Sequence, residues 1–184
     1  GYRSNHRVKT NKFDAIANDD DFDMIVTYIR ECNRIMKNNT AIYMFCDWRR
    51  IDQFKREFEK YFKLKNILVW DKGRHGFGDL KGSYGPRHEF ILFGHKGRTL
   101  LRGKREPDII SGINAVGNNQ LRHPNQKPIE LIAKFIKNSS DEGDIVFDGF
   151  SGVGTTLKAC KSTGRNFIGF EIDGRWVDIA NEEV

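Results

Sequence analysis

The chain has 184 residues, 38% of them apolar and 14 of them Phe, enough for the core of one domain, which excludes disorder as its main state. Its longest apolar runs, such as Ala41–Cys46, fall well short of the roughly 18–20 residues of a membrane span, and no basic-then-apolar leader opens it, so the expectation is a soluble, intracellular protein. The net charge of +6 is uneven: positions 63–105 hold eleven Lys/Arg against three acids, a local +8 that leaves −2 for the rest. Such a field fits a polyanionic partner, nucleic acid foremost, although a merely solvated basic loop has the same composition. Cys32, Cys46 and Cys160 form no C-x-x-C pair, so buried thiols are expected rather than disulfides or a zinc site. His75, His88 and His95 lack a recognised metal-ligand spacing.

Neither a repeat nor a linker divides the sequence, so one domain over 1–184 is expected. Asn18-Asp19-Asp20-Asp21 supplies helix-capping side chains, and Phe22, Ile25, Val26, Ile29, Ile35 and Met36 then share one face of a helix running to about Lys37. Ala41–Phe45 reads as a strand, Ile51, Phe54, Phe58 and Phe62 as the apolar side of a second helix, and Ile67–Trp70 as another strand. Within 72–122, a basic, glycine-rich insertion, Phe90–Phe93 is the single convincing strand, and a long irregular segment of this kind is where a partner is expected to bind. Pro128 reads as the first turn of a helix carrying Ile129, Leu131, Ile132, Phe135 and Ile136. The last third alternates strand Ile145–Phe147, helix Thr155–Ser162, strand Phe167–Phe170 and a helix from Trp176 to Asn181. Short strands apolar on both faces suit a mostly parallel sheet covered by helices, so the expected fold is an α/β three-layer sandwich.

The strongest chemical signal is Asp148-Gly149-Phe150-Ser151-Gly152-Val153-Gly154-Thr155-Thr156, where a strand ends in a carboxylate and turns through glycines into a helix. Backbone there can approach a ligand closely while helix N–H groups face it. A phosphate-binding P-loop is disfavoured in this turn, because Thr155 occupies the position of its lysine. A dinucleotide fingerprint is weakened by Leu157 at its third glycine, which leaves an NAD-linked oxidoreductase as a rival. A cationic ligand without phosphates, S-adenosylmethionine, suits the carboxylate of Asp148. Glu171, followed by Ile172 and Asp173, lies at the end of the next strand and is suited to accept ribose hydroxyls.

These segments, Asp148–Thr156 and Gly169-Phe170-Glu171-Ile172-Asp173, resemble the cofactor motifs of the DNA amino-methyltransferases, which methylate adenine N6 or cytosine N4. His123-Pro124-Asn125-Gln126-Lys127-Pro128 resembles the segment that precedes the glycine motif in the beta arrangement of that family. Val69-Trp70-Asp71-Lys72 and Arg87-His88-Glu89-Phe90-Ile91-Leu92 resemble its W-x-K and H-E-x-x-L segments beside the target base. The resemblance runs from about Phe22 to Ala180 and implies a Rossmann-like S-adenosylmethionine-dependent methyltransferase fold. It also implies that His123, Asn125, Gln126, Lys127 and Pro128 line the methionine end, that Asp148–Thr156 form the turn, and that Glu171–Asp173 meet the ribose side. Trp70 either meets the target base or caps a buried strand, and Lys72, Arg74, Lys81, Arg87 and Lys96 collectively become phosphate or target contacts.

The family's catalytic Asp/Asn/Ser-Pro-Pro-aromatic segment is absent from these residues, since no two of the four prolines are adjacent. In the beta arrangement it precedes a stretch like Gly1–Asn5, so the expectation is a fragment that begins downstream of its catalytic loop. A degenerate homologue that binds without catalysing is the alternative. The implied activity is methyl transfer to the exocyclic amine of a flipped base in double-stranded DNA, adenine more than cytosine, within the cytoplasm of a bacterial or phage-infected cell. No metal and no membrane enter this reading, and a homodimer is left open. His6, Arg7, Lys9 and Lys12 either order on DNA or stay mobile.

Overall fold

The computed structural model describes residues 22–76, 81–117, 120–123 and 125–182. The proposed capping run at 18–21, the cations at 6–12 and Pro124 lie outside the described residues. Helix α1 spans Phe22–Ile35, strand β1 Thr40–Cys46, and a short 3₁₀ turn Trp48–Arg50 leads into α2, Ile51–Glu59. Strands β2 (Lys63–Asp71), β3 (His88–Lys96) and the two-residue β4 (Ile109–Ile110) complete the larger sheet. After α3 (Ile129–Ser139) come β5 (Ile145–Asp148), α4 (Thr155–Thr163), β6 (Asn166–Gly169) and α5 (Gly174–Glu182). Among the described residues no helix is long and apolar enough to cross a membrane.

The four-stranded sheet has the order β1-β3-β2-β4, and β5 and β6 pair separately. The mostly parallel sheet expected from the sequence is corrected in part. β5–β6 and β2–β4 are parallel, but the two long ladders, β1–β3 and β2–β3, are antiparallel. The reason is topological: the chain leaves β2 at Asp71 and returns at the same end into β3, which lies between β1 and β2. Helix-covered antiparallel strands are as apolar on both faces as parallel ones, so composition does not separate the two cases.

Side chains alternate across this layer as a two-residue period requires. On one face Met44, Cys46 and Leu92 pack with Ile29 and Cys32 of α1 and Phe54 and Phe58 of α2. On the other, Ile91 and Trp70 pack with Leu131 and Phe135 of α3, and the Tyr43 and Phe135 rings stack at 4.5 Å. β5 presents the same two faces: Phe147 packs with the α1 core, and Val146 packs with Ile136 of α3 and Cys160 of α4. Helices α1 and α3 therefore hold the two sheets in one layer from opposite sides, the three-layer α/β arrangement expected. Pro128 is the N-cap of α3, with extended ψ of 136°, so its carbonyl opens the helix from one position before the first turn.

The pairing register defines two ends. Cys46 lies opposite Phe90 and Asp71 opposite His88, so β1 and β2 end where β3 begins. At the far end Thr40 faces Lys96 and Lys63 faces His95. The basic stretch is thereby divided. Lys72, Arg74, Lys81 and Arg87 belong to the β2–β3 connection at the first end, whereas Lys63, Lys65, Lys96 and Arg98 belong to the second.

Candidate functional site

Asp148 closes β5 and organises the glycine turn. One carboxylate oxygen accepts the Phe150 N–H at 3.0 Å, and the other accepts the Thr156 hydroxyl at 2.6 Å, tying the turn to the first residues of α4. Gly154 takes φ of +76° at the helix N-cap, a conformation that a side chain would strain. Ser151 donates its N–H and its hydroxyl to the Phe170 carbonyl, which fixes the turn against the exit of β6. Glu171 completes the clamp: one oxygen accepts the Gly152 N–H at 2.8 Å and the other the Asp173 N–H at 3.0 Å. Asp173 in turn pairs with Arg175, which holds its carboxyl below the usual range. Thr155 and Val153 are buried, whereas Phe150 and Ile172 stand exposed beside the turn.

The 123–128 loop meets this turn through His123. Its ring lies edge-on to Trp176 of α5 at 4.9 Å, and a Cβ on Gly152 would touch it at 3.8 Å. His123 Nδ1 accepts the Asn125 N–H, and the Gln126 amide oxygen accepts the Arg122 N–H. Lys127 reaches the other way, donating to Glu89 at 2.6 Å with its ammonium 4.9 Å from the Phe45 ring centroid. The structure thus brings Asp148–Thr156, Glu171–Asp173 and His123 together, and Lys127 ties the segment after His123 to the start of β3.

The proposed target residues divide. Lys72 sits 3.6 Å from Glu89, and Arg87 forms a two-point pair with Asp71 at 2.6 and 2.8 Å. That pair raises the Arg87 guanidinium and lowers the Asp71 carboxyl from their ordinary values. Arg74 and Lys81 are exposed on the same connection. Two assignments are corrected. Trp70 is 1% exposed and donates its indole N–H to the Ile113 carbonyl at 2.7 Å, so it anchors the core and the loop after β4 rather than facing a base. Lys96 lies at the far end and donates to the Asn33 and Met36 carbonyls, closing the C-terminus of α1.

Two supporting residues escaped sequence reasoning. Tyr28 projects from α1 beneath the turn, accepts the Gly149 N–H at 3.3 Å, and packs on Phe150 at 4.6 Å between centroids. Burial pushes its phenol far up, so it remains protonated. Trp176, read only as a helix residue, positions His123. No local motif announces either contact. The three cysteines are buried free thiols, and burial pushes Cys46 up to about 12 and Cys160 up to about 11. Among the described residues no cluster of three or more His, Cys, Asp or Glu is arranged to hold a metal ion.

Known proteins carry the same framework. The DNA methylase family profile of the N6/N4 type matches residues 4–182. The putative methylase YubD of Escherichia coli K12 is 31% identical over 160 residues, covering 86% of this chain and 67% of its own. The DNA adenine methyltransferase YhdJ of the same organism is 27% identical over 188 residues, covering 84% of this chain and 64% of its own. The crystal structure of the M1.HpyAVI–SAM complex superposes with a TM-score of 0.77 at 26% identity, over 89% of this chain and 83% of that one. The chain spans 49–67% of the length of the curated relatives it matches. Because the profile covers nearly all of the sequence, the chain belongs to the N6/N4 DNA methylase family.

Proposed function

We propose that this chain is the cofactor-holding and DNA-facing part of a DNA amino-methyltransferase that uses S-adenosylmethionine. The observation that carries the reading is the Glu171 clamp on the glycine turn. A carboxylate offers about four lone-pair sites, and backbone N–H groups take one on each oxygen of Glu171, so capacity remains for two ribose hydroxyls. The donor set also fits the group: Asp148 and Glu171 border the turn, Thr155 replaces the lysine of a phosphate site, and exposed Phe150 and Ile172 offer apolar surface for a purine. When bound, S-adenosylmethionine supplies an electrophilic methyl group to the exocyclic amine of the target base.

The chain's own part is positioning. Glu171 and the turn hold the nucleoside, His123–Pro128 border the methionine end, and Lys72, Arg74, Lys81 and Arg87 present positive charge to DNA at the end where β1 and β2 finish. Adenine N6 is the favoured target, in keeping with the adenine activity for which YhdJ is named. We place the protein in the cytoplasm of a bacterial or phage-infected cell, acting as a monomer or homodimer.

Calorimetric titration with S-adenosylhomocysteine, with NAD as control, tests the pocket. Binding that is lost on Asp148→Ala or Glu171→Ala supports it, and NAD binding without S-adenosylhomocysteine binding overturns it. Methylation of duplex DNA by the whole protein then separates an enzyme from a DNA-binding module that holds the cofactor without turnover.

A further inference from the structure

We propose that Trp48, backed by the Arg49 guanidinium, is a stacking platform for an unpaired base of bound DNA, a surface separate from the basic β2–β3 connection. The assignment rests on the DNA-facing function proposed above. β1 ends at Cys46, and Asp47 caps the 3₁₀ turn that follows by accepting the Arg49 N–H at 2.8 Å. Arg50, the last residue of that turn, lays its guanidinium 4.9 Å from the Phe22 ring centroid and so ties the turn to α1. Trp48 therefore stands on a short, braced turn just past the strand end. Of the three tryptophans, Trp70 is 1% exposed and Trp176 is half-buried, whereas Trp48 is 53% exposed.

A single exposed apolar side chain is ordinary, and what distinguishes Trp48 is its company. The Arg49 guanidinium lies 4.7 Å from the indole centroid, and the Arg49 side chain is itself exposed. An aromatic face beside a solvent-facing cation is the combination that holds a base by stacking and the adjoining phosphate by charge. The pairing register sets Trp48 at the end where β1 and β2 finish, the end that also carries Lys72, Arg74, Lys81 and Arg87. Tyr84, fully exposed, belongs to the same basic connection. At the far end, Ile35 at the close of α1 and Leu100 and Leu101 after β3 are exposed, and these are aliphatic. A closed duplex hides its base faces in the stack, so the platform acts where a base has left it, as methyl transfer to a flipped base requires.

The test compares two probes by fluorescence anisotropy: a fully paired duplex, and the same duplex with a central run of unpaired thymines. The wild type is expected to bind the second more tightly. Trp48→Leu is expected to weaken the unpaired probe about tenfold and leave the paired duplex unchanged, since one stacked base is lost and no phosphate contact. The slope of log affinity against log salt should stay at its wild-type value for the same reason. Trp48→Phe, which keeps an aromatic face, should retain most of the preference, and it carries the comparison should Trp48→Leu fail to fold: because the other two tryptophans are buried or half-buried, the quenching of intrinsic fluorescence by the unpaired probe should vanish in Trp48→Phe while binding persists. Equal losses on both probes, or no loss on either, would overturn the assignment, as would quenching that survives in Trp48→Phe. A wild type that binds neither probe would defeat the DNA-facing function and this inference with it, whereas equal wild-type affinity for the two probes defeats the inference alone.

Discussion

The Gly152 N–H donates to the Glu171 carboxylate at 2.8 Å, so the residue suited to hold the ribose also shapes the turn beside it. Removing the charge should therefore act on every ligand that contains the nucleoside. Glu171→Gln is expected to weaken S-adenosylhomocysteine and methylthioadenosine alike, each by roughly tenfold or more, because a charge-assisted hydrogen bond is worth about 1.5–3 kcal/mol. Isothermal titration with both ligands checks it. A loss confined to S-adenosylhomocysteine would move Glu171 to the methionine end.

Tyr28 supports the same turn from below. A Cβ on Gly149 would stand 2.4 Å from Tyr28 Cε2, so Gly149→Ala must displace a ring packed between Phe147 and Phe150. A destabilisation of about 1–3 kcal/mol is expected from such overpacking. Tyr28→Phe, which only removes the acceptor for the Gly149 N–H, should cost about 0.5–1.5 kcal/mol. Urea unfolding of the two variants distinguishes the effects, and Tyr28→Leu should relieve part of the Gly149→Ala penalty by vacating the space.

The alternation of apolar residues was sufficient to place α1, β1, α2 and the β5-α4-β6 unit, because each hides one face or stripe that the local sequence spells out. The glycine turn was legible for the same reason: backbone conformation at Gly152 and Gly154 depends on local sterics. Strand direction was not legible, since Leu92 and Ile91 are apolar on opposite faces whichever way β3 runs. Nor were the roles of Trp70 and Lys96. An indole or an ammonium is assigned to core, helix end or ligand by partners distant in sequence, here Ile113 for Trp70 and Asn33 with Met36 for Lys96.

His95 gives the fold a pH dependence of definite sign. The side chain is 6% exposed, has no hydrogen-bond partner on either ring nitrogen, and packs edge-on to Phe93. Burial, with Lys65 nearby, pushes its value below the ordinary 6.5. The unfolded chain then takes the proton first, so the contribution of neutral His95 is fully present above about pH 6.5 and is lost as pH falls from there through the depressed folded value. Stability measured between pH 7.5 and 5.5 should decline in the wild type and decline less in His95→Phe; parallel profiles would remove His95 as the cause.

The division of basic residues between two ends of the sheet separates local from overall charge in DNA binding. Arg74 and Lys81 are exposed at the end where β1 and β2 finish, and Lys63 and Arg98 are exposed at the other. Replacing either pair by glutamine removes the same net charge, so a non-specific attraction would weaken equally in both double variants. If DNA lies against the first end, Arg74→Gln with Lys81→Gln should weaken duplex binding and reduce the slope of log affinity against log salt by up to about 2, since each lost phosphate contact contributes about 0.9. The Lys63→Gln, Arg98→Gln variant should keep the wild-type slope. Fluorescence anisotropy over a salt series gives both numbers, and a larger effect from the second pair would place DNA on the opposite end of the molecule, away from the glycine turn.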